Sequence, residues 1–162
     1  MTTGLLLRAA MGLSVLAWAA VCRVYLWPRI RELPLDDAAR PILLLHVFRF
    51  VGVTFLVPGI VEPSLPSAWA APAAYGDLGA TALAWLALAL GRRPGSRAAL
   101  WAFNLWGTAD LLFAFYQGRV VGLDVRAASL GGAFWIVLLL VPLLLCTHAV
   151  LFVLLMRRGT SR

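Results

Sequence analysis

Five polar side chains that could bind an ion, pass a proton or ligate a metal lie inside long apolar stretches of the chain. They are His46, Arg49, Asn104, Asp110 and His148. A charge at membrane depth costs roughly 2.5–3.5 kcal/mol on insertion scales, and more in simulations of isolated helices. A sequence keeps such a charge where it meets a partner, a cavity or a ligand, so Arg49 indicates where function should be sought.

Arg49 and Asp110 carry opposite charges and are predicted to pair, so that removing either one alone would be strongly destabilising. On a helical wheel, Asp110 shares one half of its helix with other polar or small residues, and this face should point into the bundle. These residues are Asn104, Gly107, Thr108 and Gln117. A buried guanidinium beside an amide and a carboxylate suits a small anion, a lipid headgroup or a proton relay. The candidate ligand-binding residues are therefore Arg49, Asn104 and Asp110.

The two histidines suggest a second chemistry, which is haem binding. At a rise of roughly 1.5 Å per residue, His46 lies about 7 Å and His148 about 12 Å from the same predicted end of the bundle. A b-type haem takes axial ligands from facing helices, and this similar depth permits a pair of histidine ligands. A metal site that also uses Asp110 is less favoured, because that carboxylate is predicted to lie deeper than both imidazoles. His46 and His148 are thus candidates for binding haem b, and no other cofactor or metal is predicted.

The alternative to a binding site is a structural polar core. In that interpretation the five side chains satisfy one another and hold the helices in register. The sequence contains no G-x-S-x-G, H-E-x-x-H or P-loop motif, so no catalytic residue is predicted and an enzyme is not favoured. We predict a structural or accessory membrane protein, with ligand binding or transport, and then haem binding, as the alternatives.

The composition is typical of an integral membrane protein. Hydrophobic residues make up 62% of the chain and charged residues 13%, whereas soluble domains average about 45–50% apolar and about 25% charged residues. The formal net charge is +7, and all the basic residues are arginine. Because the arginines cluster just outside apolar runs, they indicate membrane topology and headgroup contacts rather than a nucleic-acid partner.

Five apolar segments each approach the roughly 20 residues that a helix needs to cross a bilayer. The predicted fold is therefore all-α, a five-helix transmembrane bundle in a single domain, residues 1–162. The predicted helices are residues 4–27, 41–57, 72–90, 98–117 and 132–156, and residues 58–71 are predicted to lie along the outer interface. In this arrangement Asp77 falls near the start of the third helix, where capping, exposure to water or pairing with Arg119 or Arg126 is expected.

The arginines also predict the orientation of the bundle. The connections at residues 23–40 and 91–97 and the C-terminal tail hold ten arginines, whereas the opposite side holds three. The positive-inside rule then places the N-terminus outside and the C-terminus in the cytoplasm. Arginine in place of lysine is typical of GC-rich bacteria. The sequence therefore predicts a multi-pass protein of the bacterial inner membrane. The expected partners are the lipid bilayer and either other membrane subunits or a second copy of the chain.

Several stretches of the chain carry a family resemblance. They are His46–Arg49 with Gly52, Ala71–Gly79, Asn104–Leu111, and Pro142 with His148. These stretches resemble landmarks of small bacterial multi-pass proteins that are described only as hypothetical integral membrane proteins. The resemblance covers the chain from the second helix onward and implies no activity, cofactor or substrate. The tryptophan-rich sensory proteins are similar in length and helix number, but their tryptophan and proline motifs are not apparent here, and shared architecture does not carry function.

Overall fold

The computed structural model describes residues 3–124 and 126–157, which are helical with short turns between the helices. Five of these helices are long and apolar enough to cross a membrane. They are α1 (Gly4–Ile30), α2 (Leu35–Leu56), α3 (Ser67–Leu90), α4 (Ser96–Val120) and α5 (Ile136–Arg157). The predicted all-α class and the five apolar helices are confirmed. Two of the tail arginines used to predict the orientation, at positions 158 and 162, lie outside the described residues.

The second helix begins earlier than its hydropathy predicts. It starts at Leu35 rather than at Pro41, which lies inside the helix. Asp36 and Asp37 occupy its first turn, where a negative charge suits the positive end of the helix dipole. The polar residues before Pro41 therefore form helix rather than a connection.

The third helix also begins earlier, and this changes the position of an acidic residue. It starts at Ser67 instead of Pro72, so residues 67–71 belong to this helix. Asp77 consequently lies about three turns into α3, well beyond the first turn, where it could have capped the helix. Its side chain is carried into the interior of the bundle.

The second half of α2 is wound more tightly than an α-helix. Residues Phe48–Leu56 form a 3-10 helix, a conformation that seldom continues beyond 3–4 residues and often marks a functional or strained segment. Its three residues per turn bring every third side chain to one face. Arg49, Gly52 and Phe55 are the buried residues of this segment, so the change in winding aligns all three toward the interior.

The polar centre of the bundle lies between two apolar clusters. We call the end at which α1 begins the proximal end, and the end at which α5 finishes the distal end. The proximal cluster includes Phe55, Leu65, Trp69, Leu123 and Leu130. The distal cluster includes Ile42, Leu43, Leu100, Phe103, Leu151 and Leu154. Apolar packing on both sides keeps water from the groups between them and strengthens their electrostatic interactions.

Small residues let α3 pack closely against its neighbours. Ala74, Ala80 and Ala84 are fully buried, and α3 has its most extensive contacts with α4 and α2. Small side chains allow helix backbones to approach in this way. This stripe of α3 is therefore covered within the chain itself.

Candidate functional site

The guanidinium of Arg49 lies at the centre of the bundle and contacts three other helices. Its side chain is fully buried. Nε donates a hydrogen bond to Oδ1 of Asp77 at 2.6 Å, and Nη2 donates to Oδ2 of Asp110 at 2.5 Å. Nη1 donates to the carbonyl oxygen of Gly107 at 3.2 Å. One arginine thus binds two carboxylates through charge-assisted hydrogen bonds.

His148 extends this cluster toward Asn104. Nε2 of His148 lies 3.3 Å from Nη1 of Arg49, and Nδ1 of His148 lies 2.7 Å from Oδ1 of Asn104. Because a guanidinium only donates hydrogen bonds, Nε2 of His148 accepts and the ring proton lies on Nδ1. The hydrogen-bond pattern therefore assigns a neutral imidazole, oriented by Asn104, that in turn orients Arg49.

His46 lies beside the cluster and has a separate partner. Its Nε2 is 2.9 Å from Oγ1 of Thr147, whose hydroxyl group lies 3.0 Å from two backbone carbonyl oxygens of α5. Because that hydroxyl donates to the backbone, Nε2 of His46 donates to Thr147. Nδ1 of His46 is buried and has no hydrogen-bond partner among the residues that the structure describes.

The two histidine rings are in direct contact. Their centroids are 4.3 Å apart, and the ring of Phe103 lies 5.0 Å from His46 and 5.1 Å from His148. An iron held between the two imidazoles would require both rings to move and His148 to give up one of its present partners. Haem binding by His46 and His148 therefore stays a prediction that this geometry does not favour. Within the described ranges, no group of three His, Cys, Asp or Glu side chains could hold a metal ion.

Three glycines make room for the ion-paired groups. A Cβ atom on Gly76 would lie 1.6 Å from Oδ1 of Asp110, and one on Gly52 would lie 2.1 Å from Oδ2 of Asp77. On Gly107 it would lie 2.4 Å from Nε2 of His148. Such separations are far below any normal contact, so each of these side chains rests directly against helix backbone.

The site residues predicted from the sequence come together only in part. Asp110 pairs with Arg49, as their opposite charges predict, and Asn104 reaches Arg49 through His148. The sequence predicts capping, exposure to water or pairing with Arg119 or Arg126 for Asp77, but its side chain binds Arg49 instead. The earlier start of α3 explains this difference, and the Pro66-Ser67 sequence before it was the available signal.

A cavity of about 260 Å³ connects this cluster with the proximal end. Asp77 and Asp110 form its floor, and Arg8, Arg119 and Asp124 lie at its mouth. Arg8 donates a hydrogen bond to Asp124 at 2.7 Å across that mouth. The walls are apolar and include Leu7, Phe55, Trp69, Leu111, Phe115 and Leu130. The cavity exists because α1 packs mainly on α5, which leaves space between α1, α3 and α4.

The five apolar helices and the buried arginine–carboxylate cluster define a small helical protein with a charged centre beside an apolar cavity. Residues 6–156 match the model of a family described as Domain of unknown function (DUF8737), and the chain belongs to this family. No curated protein and no solved structure matches the chain. The family description gives no activity, in agreement with the resemblance found in the sequence, so the function has to be argued from the site.

Proposed function

We propose that the protein is a multi-pass protein of the bacterial inner membrane that binds a small, largely apolar molecule inside its helical bundle. Five apolar helices support a membrane location, as do large hydrophobic side chains on the surface. Leu13, Leu16 and Trp135 are 68%, 67% and 62% exposed, which is favourable in lipid and unfavourable in water. With the N-terminus outside, as the arginine distribution predicts, the cavity opens toward the outer face of the membrane.

The cavity is the observation that carries the binding function. Ligand sites in proteins are concave and mostly apolar, with a few polar groups that fix the orientation of the ligand. This cavity has apolar walls and ends at the carboxylates of Asp77 and Asp110. Its volume of about 260 Å³ suits a small molecule and not a whole lipid.

Arg49 supports the site without being the group that meets the ligand. Four hydrogen bonds engage four of its five N–H groups. Its side chain is fully buried, so a small anion or a phosphate headgroup at Arg49 would compete with the charge-assisted hydrogen bonds to Asp77 and Asp110. The carboxylates, which line the cavity, are therefore the groups that a ligand contacts.

A structural or accessory role is the second candidate, and the closed network around Arg49 favours it. Through Asp77, Asp110 and His148, this residue of α2 links to α3, α4 and α5. Networks of buried polar groups can fix how helices are registered. In this role the cavity would be an incidental space and would bind nothing.

Filling the cavity with a side chain tests the binding function. Ala114 lines the cavity, whereas Ala109 lies on the exposed side of the same helix. We expect Ala114→Phe to weaken binding of two probes that share one carbon skeleton, aminoadamantane and adamantanol, by about tenfold or more, because its ring would occupy volume that the probes need. Binding is measured by calorimetry on protein in phosphatidylcholine nanodiscs, with empty nanodiscs as the blank.

Ala109→Phe is the matched control, because it adds the same ring to the same helix outside the cavity. It should bind both probes like the wild type. If neither probe binds the wild type, or if Ala114→Phe binds as well as Ala109→Phe, the cavity is not a binding site and the structural role is the better proposal.

A further inference from the structure

Resting on this proposed function, we propose that the ligand is a lipophilic cation, an apolar molecule that carries a protonated amine or a quaternary ammonium group. Its charge would bind at Asp77 and Asp110 on the floor of the cavity, and its apolar part would lie against the walls. The proposal follows from the charges, the unpaired oxygens and the lining of the cavity.

The charges on the floor do not balance. Asp77 and Asp110 share the single guanidinium of Arg49. His148 adds no positive charge, because its Nε2 accepts a hydrogen bond from Arg49 and its ring is therefore neutral. With both carboxylates ionised, the floor carries one negative charge in excess, which a cation would neutralise.

Each carboxylate also has one oxygen that Arg49 does not bind, since Arg49 takes Oδ1 of Asp77 and Oδ2 of Asp110. The second oxygens rest against the backbone of Gly52 and Gly76, and they form no hydrogen bond with any residue in the described part of the chain. The side chain of Asp110 is 10% exposed and that of Asp77 is 13% exposed, and both line the cavity. A buried charged acceptor without a donor is costly. An ammonium group would supply both the donors and the opposite charge.

The rest of the cavity fits the apolar part of such a molecule. Phe55, Trp69 and Phe115 are among the wall residues, and aromatic rings offer both apolar area and a negative face to a cation. At the mouth, Arg8 is neutralised by Asp124, and Arg119 lies on the exposed surface, where solvent and salt screen its charge. An anion would meet the excess negative charge of the floor and be repelled.

Three probes with one carbon skeleton and different charges test the sign of the ligand. Aminoadamantane is cationic, adamantanol is neutral and adamantanecarboxylate is anionic. In phosphatidylcholine nanodiscs we expect the amine to bind about tenfold or more tightly than the alcohol, because hydrogen bonds between charged groups contribute more than neutral ones. The carboxylate should show no binding that calorimetry detects.

Asp110→Asn tests whether the floor is the source of this preference. The asparagine oxygen can still accept from Arg49, and Asp77 still pairs with that guanidinium, so the variant should fold. We expect the preference for amine over alcohol to fall to about threefold or less. Asp37→Asn removes the same charge at the distal end, where Asp37 pairs with Arg92, and it should keep the full preference. If Asp110→Asn does not fold, Asp77→Asn provides the same test.

The outcomes separate this proposal from the binding function on which it rests. Equal binding of amine and alcohol by the wild type would show that the cavity binds apolar molecules and that one of the two floor carboxylates is protonated. The cation proposal would then be wrong. Tighter binding of the carboxylate, or a full preference retained in Asp110→Asn, would also overturn it. Binding of none of the three probes would remove the cavity function itself.

Discussion

Replacing Arg49 with methionine should lower the free energy of unfolding by about 3–5 kcal/mol, because removing one partner from a buried ion pair leaves uncompensated charge. Methionine keeps an unbranched, flexible stem but lacks the guanidinium, so Asp77 and Asp110 are left without a cation. The measurement is unfolding of the detergent-solubilised protein by increasing SDS, followed by tryptophan fluorescence and circular dichroism. Wild-type stability in Arg49→Met would contradict the importance of the cluster.

The combination of Arg49→Met with Asp77→Asn and Asp110→Asn identifies the cause of this loss. If unpaired charge is responsible, neutralising both carboxylates should restore much of the stability, since well-packed neutral groups often replace buried ion pairs without loss. A triple variant as unstable as Arg49→Met would indicate lost packing instead. Arg92→Met is the matched control, because Arg92 is also paired with an aspartate but is 67% exposed. It should cost less than about 1 kcal/mol.

The geometry of the cluster changes what single carboxylate substitutions should do. From the sequence, Asp110 is the only predicted partner of Arg49, so replacing Asp110 should lower the stability severely. In the structure Asp77 also binds Arg49, so either carboxylate can compensate for the other. Asp110→Asn alone is therefore expected to stay close to wild-type stability, which is also why it can be used in the binding test.

Apolar runs predicted the five helices, because the need to bury backbone polar groups makes long apolar stretches helical. A helical wheel placed Asp110 on the interior face of α4. This reasoning missed Asp77, because α3 begins at Ser67, before the start at Pro72 that hydropathy predicts. Hydropathy also gave no sign of the 3-10 winding of residues Phe48–Leu56, which turns Arg49, Gly52 and Phe55 toward the interior.

Rotation about the helix axes limits what depth alone can predict. The sequence predicts similar depths for His46 and His148, and their rings are in contact. Their hydrogen bonds to Thr147 and Asn104 depend on the rotation of α5 against α2 and α4, which one sequence does not specify. The cavity likewise depends on where α1 packs, since its mostly exposed apolar surface gives no strong preference for one neighbour.

Replacing Gly107 with alanine should lower the free energy of unfolding by about 1–3 kcal/mol, the usual cost of adding a methyl group to a packed space. Its Cβ would lie 2.4 Å from Nε2 of His148 and 2.8 Å from Nη1 of Arg49. His148 cannot easily retreat, because Asn104 binds the other side of its ring.

Gly12→Ala, measured by the same SDS titration, is the control for Gly107→Ala. A Cβ on Gly12 meets nothing within 4 Å, and alanine favours helix over glycine by up to about 1 kcal/mol. Its stability should therefore be unchanged or higher. Equal stability of the two variants would contradict the tight contact at Gly107. If the contact with Arg49 and His148 causes the loss, the effects of Gly107→Ala and Arg49→Met should not add, because both act on one cluster of touching groups.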